Sequence, residues 1–287
     1  MAYLDHIRAC NAFDPARFRP FVVAGETVGA VAHDLVPRLL AFDGVFEADA
    51  RALRMSDRLA DFDARTDAMA KVVKALADEG RVGGWRDEPF RVASDFGSPP
   101  LLKMERAGAP LFGVTSYGVH VNGFVRAPDG LKMWVGRRSP TKPNYPNMLD
   151  NLCAGAVPFG LGARETLIKE AHEEASIPEA IARRARPVGA IRYCCEGDGG
   201  LRPDVLFAYD LELPADFRPE PGDGEIAEYM LWPIAQVAER VRDSFDFKFN
   251  CNLVIVDFLI RRGLIAADEP DFLALVEGLH RPRDIFA

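Results

Sequence analysis

Alternation with a period of two marks Gly118-Val119-His120-Val121-Asn122-Gly123-Phe124-Val125 as a strand and Lys132 to Arg138 as the next. Ala127-Pro128-Asp129-Gly130 supplies the hairpin turn between them. A helical pattern follows at Ala163 to Ala175. Val188 to Cys194 and Val205 to Leu211 then read as two strands joined by Glu196-Gly197-Asp198-Gly199-Gly200, and Glu228 to Trp232 as a further short strand. Pro233 opens a helix, because the first helical position needs no N–H. Asn252 to Arg261 and Pro270 to Leu279 continue as helices.

The first hundred residues mix both periods. Tyr3 to Phe13 reads as a short amphipathic helix. Phe18 to Val23 and Thr27 to Val31 read as strands about a turn at Ala24-Gly25-Glu26, and His33 to Leu40 as a helix. Ala60 to Asp78 carries the longest helical pattern, with Met69, Val72, Val73 and Leu76 on its apolar side. Ser94 to Ala109 is rich in proline and glycine with weak periodicity, which predicts a linker region. The division expected is an N-terminal α+β domain over residues 1–109 and a second domain over residues 110–287. Strands paired through hairpins, with few helices between them, predict an α+β fold rather than a doubly wound parallel sheet.

Composition narrows the function. The chain has 287 residues and a formal net charge of −8, which argues against a broad nucleic-acid surface. A local basic cluster still exists: Lys132, Arg137, Arg138 and Lys142 fall within eleven residues. The five cysteines are odd in number and show no C-x-x-C spacing, so reduced thiols are expected. The N-terminal residues lack the apolar run of a signal peptide, and no stretch approaches the ~18 apolar residues of a membrane span. A cytoplasmic protein with no membrane or nucleic-acid partner is the expectation.

The chemistry concentrates in Ala154-Gly155-Ala156-Val157-Pro158-Phe159-Gly160-Leu161-Gly162 and the helix after it. Glu170, Glu173 and Glu174 stand at i, i+3 and i+4, which at ~100° per residue confines them to an arc about 100° wide. Leu167, Ile168, Ala171 and Ala175 occupy a separate arc, so the helix can pack on a core and still present three carboxylates together. A solvated acidic face is the bland reading of such a pattern. The glycine-rich approach, the aliphatic face and the basic cluster upstream favour a cation site. Oxygen ligands of this kind suit Mg²⁺ or Mn²⁺, which share their shell with substrate phosphates.

This segment resembles the Nudix signature: Gly, five residues, Glu, seven residues, Arg-Glu, an aliphatic, any residue, Glu-Glu, any residue, Gly, an aliphatic. Set on Gly155, the chain supplies Glu170, Ala171, Glu173, Glu174 and Ile177 in register. It departs at Leu161, where Glu is usual, at Lys169 for Arg and at Ser176 for Gly. The segments from Arg138 to Asn151, Asp204-Val205-Leu206-Phe207, Asp223-Gly224-Glu225 and Phe247 to Asn252 are similar to those of one subgroup. That subgroup contains the Nudix half of thiamine pyrophosphokinase fusions and stand-alone relatives with an N-terminal domain of unclear function.

The resemblance implies a Nudix α/β/α sandwich with a mixed sheet, preceded by a smaller α+β domain. It implies metal-dependent hydrolysis of a small-molecule diphosphate, with thiamine diphosphate or its oxidised forms as substrates. By the same resemblance Glu170, Glu173 and Glu174 are the metal ligands, with a backbone carbonyl near Ala154 or Gly155. Glu174 and Glu225 are the catalytic candidates, Glu225 as an extra ligand or general base. Arg137, Arg138, Lys142 and Gly155 are the substrate-binding candidates, since guanidinium and ammonium groups pair with phosphate oxygens. Strand alternation puts Arg137 and Arg138 on opposite faces.

His120 reads as a structural histidine, Trp85, Tyr117 and Trp134 as core aromatics, Cys153 as packing, and Asn250 as the N-cap of the following helix. Competing readings are a nucleotide-sugar or dinucleotide hydrolase, an isoprenoid diphosphate isomerase, and a degenerate Nudix domain that binds without turnover. For the first hundred residues three roles stay open: covering the active site, shaping the substrate pocket or supporting a homodimer.

Overall fold

Sheet structure begins soon after the first helix, past a short 3-10 turn at Pro15–Arg17. The structure is a computed structural model and describes residues 2–197 and 199–280. Asp198, within the expected connection between two C-terminal strands, lies outside the described residues. Helix α1 (Tyr3–Cys10) is followed by β1 (Phe18–Val23), β2 (Glu26–Ala32), α2 (Val36–Leu40), β3 (Phe46–Ala48), β4 (Leu53–Met55) and α3 (Phe62–Asp78). The strands form a sheet of order β2-β1-β4-β3. Asp61 caps α3 by accepting from Ala64 N at 2.8 Å, and the helix buries Met69, Val72, Val73 and Leu76.

The expected linker is instead folded. Strands β5 (Pro89–Val92) and β6 (Leu102–Glu105) pair antiparallel, with the proline-rich stretch as their loop. Val92, Leu102, Met104 and Ala109 are buried in the same core as α3. Pro99 and Pro100 interrupt the periodicity of the sequence without interrupting the packing, because they lie in the loop.

The second sheet supplies the site. Strands β7 (Ser116–Ala127) and β8 (Gly130–Arg138) form the expected hairpin, and β9 (Leu149–Asp150) and β10 (Cys153–Ala156) follow. Helices α4 (Ala163–Ala175) and α5 (Glu179–Ala182) lead to β11 (Arg186–Gly197), β12 (Gly200–Glu212) and β13 (Ile226–Pro233). The chain closes with α6 (Ile234–Asp243), α7 (Cys251–Arg261) and α8 (Phe272–Leu279). The sheet order is β11-β12-β7-β8-β13. Strand β12 runs parallel to β7, whereas β8 and β10 run antiparallel to it, so the sheet is mixed.

Strand β7 pairs with β10 along its first half and with β8 along its second. Strand β9 pairs with β8. The chain therefore crosses from the β8 edge to the β7 edge through Asn151 and Leu152, and the sheet is split there. Leu167, Ala171 and Ala175 of α4 pack on one sheet face with Val119, Val121 and Val205. Helices α1, α6, α7 and α8 cover the other face, over Phe124, Ile191 and Leu206. The result is an α/β/α sandwich beside a smaller α+β unit. Helix α1 precedes that unit in sequence yet packs on α7 and α8. Cys251 to Leu259 of α7 are all buried, as expected for a helix apolar on nearly every side. Among the described residues no helix is long and apolar enough to cross a membrane.

Candidate active site

Helix α4 begins where the sequence pattern places it. Glu165 reaches back to accept from Gly162 N at 2.8 Å, and Thr166 Oγ1 donates to Gly162 O at 3.0 Å. Both contacts satisfy groups that a helix start leaves without intrahelical partners or links them to its first turn. The helix ends at Ser176, whose φ of 53° lies in the left-handed region. That conformation explains why glycine is usual there.

The three carboxylates have distinct surroundings. Glu174 is buried, and its Oε2 accepts from Ala154 N at 2.9 Å. Burial pushes its carboxyl well above the usual range. Asp150, Glu170 and Glu225 push the same way, against the Ala154 N–H. Glu170 is also raised, first by burial, although Lys169 opposes the shift. Glu173 is half exposed. Lys169 Nζ bridges the pair, 3.2 Å from Glu170 Oε1 and 2.6 Å from Glu173 Oε2. Lysine at the position of the usual arginine thus still meets two carboxylates, as a point charge rather than a planar fork. A Cβ at Gly155 would stand 2.3 Å from Glu170 Cδ, so only glycine leaves that carboxyl its place.

A loop brings in the fourth carboxylate. Glu220 N and Gly222 N donate to Ala175 O and Glu174 O, each at 3.2 Å, which docks residues 214–225 on the C-terminal end of α4. A Cβ at Gly222 would stand 2.1 Å from Glu173 O, so the approach needs glycine. Glu225 then pairs with Lys142 Nζ at 2.5 Å, and Ser139 N donates to Glu225 O at 2.8 Å. Glu170, Glu173, Glu174 and Glu225 line one cleft of about 500 Å³. Glu170 and Glu174, raised chiefly by burial, stand beside the more exposed Glu173 and Glu225, with one lysine bridging Glu170 and Glu173, a donor set suited to a hard divalent cation.

The basic candidates separate. Lys142 lines the cleft, but Arg137 does not: its Nε donates to Glu228 at 2.8 Å and its Nη1 to Asn147 O at 3.3 Å. Arg138 is buried at the cleft wall with its guanidinium engaged. It donates to Asp150 Oδ2 at 2.8 Å, Tyr145 O at 3.0 Å and Asn144 O at 2.9 Å. It holds the loop after β8 in place. The sequence reading missed Lys248, half-buried in the cleft with Nζ 4.0 Å from Asp150. It also missed Arg86, Glu88, Phe90 and Arg106, through which the N-terminal unit lines the same cleft. No spacing in the sequence links them to the acidic helix. Phe159 N donates to Pro89 O at 2.8 Å, and the Phe159 ring lies 5.9 Å from that of Phe62, fastening the glycine-rich loop to that unit.

Asp150 stands behind the carboxylates. Burial alone would raise it, but Lys248, Arg138 and the Cys251 thiol, which donates at 2.8 Å, hold its pKa down at about 2. His120 is buried and pairs with Asn151 Oδ1 at 2.9 Å. Ligand atoms of His120, Asp150 and Cys251 lie within 4.8 Å of one another. Two cations flank this group and its thiol is a hydrogen-bond donor, so it is a polar network rather than a cation site. His172 is exposed. Tyr117, Trp134 and Cys153 are core residues as expected, whereas Trp85 is exposed and donates to Asp87. Asn250 occupies the helix-capping position without capping. Its Nδ2 donates to Tyr193 OH at 3.2 Å.

Residues 2–116 match a "Domain of unknown function (DUF4743)". The chain is 39% identical over 294 residues to Nudix hydrolase 20, chloroplastic, of Arabidopsis thaliana, covering 98% of this chain and 78% of that protein. It is 40% identical over 282 residues to Nudix hydrolase 24, chloroplastic, of the same plant, covering 96% and 77%. Among solved structures, the Nudix domain of Shewanella oneidensis NrtR, complexed with ADP ribose, aligns with 13% identity and a TM-score of 0.42. That alignment covers 53% of this chain and 90% of that one. A mixed-sheet sandwich with an acidic helix against a glycine-rich strand defines the class, and the chain belongs to the Nudix hydrolase family. It is an enzyme of that family, acting on diphosphate-type substrates.

Proposed function

We propose that the protein hydrolyses thiamine diphosphate or its oxidised forms to the monophosphate and phosphate, using Mg²⁺ or Mn²⁺. The observation that carries the metal-dependent part is the convergence of Glu170, Glu173, Glu174 and Glu225 on one cleft. The thiamine part draws on the subgroup resemblance between Arg138 and Asn252. Glu170, Glu173 and Glu174 would hold the ion. When bound, it lowers the pKa of water and offsets charge on phosphate oxygens.

The remaining steps belong to the chain's own groups. Water attacks a phosphorus of the diphosphate, the bridging P–O bond breaks, and the monophosphate leaves with the electron pair. Glu225 takes the proton of the attacking water at a carboxylate oxygen, and Lys142, paired with that carboxylate, holds it in position. Lys142 and Lys248 supply ammonium donors to the diphosphate oxygens. The N-terminal unit shapes the pocket, since Arg86 and Arg106 face the same cavity.

The test is phosphate release from thiamine diphosphate, ADP-ribose and dimethylallyl diphosphate, with Mg²⁺ and with EDTA. Release from thiamine diphosphate that needs the metal and falls by about 10²-fold or more in Glu174→Gln supports the reading. Near wild-type release in Glu174→Gln removes the assigned metal site. No metal-dependent release from any of the three favours a binding module.

A further inference from the structure

The far end of the cleft is built differently from the carboxylate end. Tyr193, Phe249 and Tyr145 gather there, with the Phe249 ring 5.6 Å from Tyr193 and 5.4 Å from Tyr145. Asp204 and Asn250 line the cavity beside them. Asn250 Nδ2 donates to Tyr193 OH at 3.2 Å, and the Tyr193 hydroxyl lies toward the Asp204 carboxyl, where it favours the charged form. Asp204 and Tyr193 are direct cross-strand partners on β12 and β11. Among the described residues no ion pair closes on Asp204, and Arg202, Lys248 and Arg106 are the cations whose charges act on it.

Strand register fixes where this end lies. Gly155 is opposite Val119, which is opposite Phe207, and Asp204 lies three residues before Phe207. Two strand spacings across and three residues along separate Gly155 from Asp204 by about 14 Å. Inorganic pyrophosphate cannot span that gap, whereas a diphosphate linked to a ring system can. Glu170, over Gly155, marks the end for the phosphates. Asp204 is then left for the organic half, where a half-buried carboxylate accepts from N–H donors and the Phe249 and Tyr145 rings lie beside it.

Resting on the diphosphate-hydrolase reading, we propose that Asp204, positioned by Tyr193 and Asn250 and flanked by Phe249 and Tyr145, is the specificity subsite for the substrate's organic half. It selects a flat heteroaromatic ring that carries an amino group. Burial holds the Asp204 pKa above its ordinary value, a cost that hydrogen bonds from a ligand amino group offset.

The experiment uses the full chain in EDTA, so that binding is read without turnover. Calorimetry measures thiamine diphosphate, ADP-ribose and CDP, each with an amino-bearing ring, against dimethylallyl diphosphate and inorganic pyrophosphate. At least one amino-ring ligand is expected to bind more tightly than both controls. In Asp204→Asn its Kd weakens by about tenfold or more, while that of pyrophosphate stays within about twofold. Tyr193→Phe, which removes the hydroxyl that positions the carboxyl, weakens the same ligand by about threefold and decides the matter if Asp204→Asn does not fold.

Equal affinities in wild type and variants, or no preference for amino-ring ligands, overturn the proposal. Turnover is measured separately. Binding that depends on Asp204 without hydrolysis keeps the subsite and removes the hydrolase reading. Hydrolysis of thiamine diphosphate with KM and kcat unchanged in Asp204→Asn keeps the hydrolase and removes the subsite.

Discussion

The carboxyl group of Glu170 lies over the backbone of Gly155, so close that a Cβ there would stand 2.3 Å from Cδ and 2.6 Å from Oε1. The intruding atoms belong to the end of a flexible side chain, so Gly155→Ala can fold by swinging Glu170 aside. Overpacking of this kind costs about 1–3 kcal/mol. The displaced carboxylate no longer meets Glu173 and Glu174, and Mg²⁺-dependent hydrolysis is expected to fall by about tenfold or more. Thermal melts and phosphate release on the same sample check both halves. Full activity in a folded Gly155→Ala would remove Glu170 from the site.

Arg137 and Arg138 are neighbours with opposite consequences. Arg138 and Asp150 are buried together at 2.8 Å. Arg138→Ala leaves that carboxylate with only Lys248, 4.0 Å away, as its cation. The expected loss is about 3 kcal/mol of stability, from stranding a buried charge. Arg137→Ala breaks an exposed pair with Glu228 and should cost less than about 1 kcal/mol, with KM unchanged. Denaturant melts and KM values on the two variants test the contrast. A raised KM in Arg137→Ala would return that residue to the substrate site.

The acidic helix is legible in the sequence because its contacts are local. The arc of Glu170, Glu173 and Glu174 follows from helical periodicity, and Leu167, Ala171 and Ala175 are buried where the same periodicity puts them. The β7–β8 hairpin is legible for the same reason, with alternation on both sides of a turn. Strand alternation also puts Arg137 and Arg138 on opposite faces, but it cannot say which face meets the cleft, nor that backbone carbonyls of the loop engage Arg138. Lys248, Asp204 and the cleft residues of the N-terminal unit are brought in by long-range register, which leaves no periodic trace. The β5–β6 strands are short, and prolines in their loop mask an alternation of only four residues each.

His120 gives the fold a pH dependence that needs no ligand. Its pKa is lowered from 6.5 to about 4, chiefly because it is buried and then because Lys248 is near. The unfolded chain therefore binds a proton at a pH where the folded chain does not. The stability tied to neutral His120 is present above pH 6.5 and is lost as pH falls toward 4. Between pH 7 and pH 5 the loss from this group is about 2 kcal/mol. Urea titrations at the two pH values should show it, and His120→Gln, less stable at pH 7, should show a correspondingly shallower slope. An equal slope in both proteins would mean that another group sets the dependence.

Ser176 holds a position that favours glycine, and the departure can be weighed. Its φ of 53° and ψ of 30° are left-handed, which costs a residue with a side chain about 1–2 kcal/mol relative to glycine. Glycine in turn loses about 0.5–1 kcal/mol through the greater freedom of its unfolded chain. The first effect exceeds the second, so Ser176→Gly is expected to stabilise the protein by about 0.5 kcal/mol. Ser176→Ala keeps the strained φ and should bring no such gain. Ser176 lies outside the cleft lining, so kcat and KM should stay at wild-type values in both variants. Chemical denaturation of the three proteins side by side decides the point. A Ser176→Gly protein no more stable than Ser176→Ala would show that the left-handed helix end carries no strain.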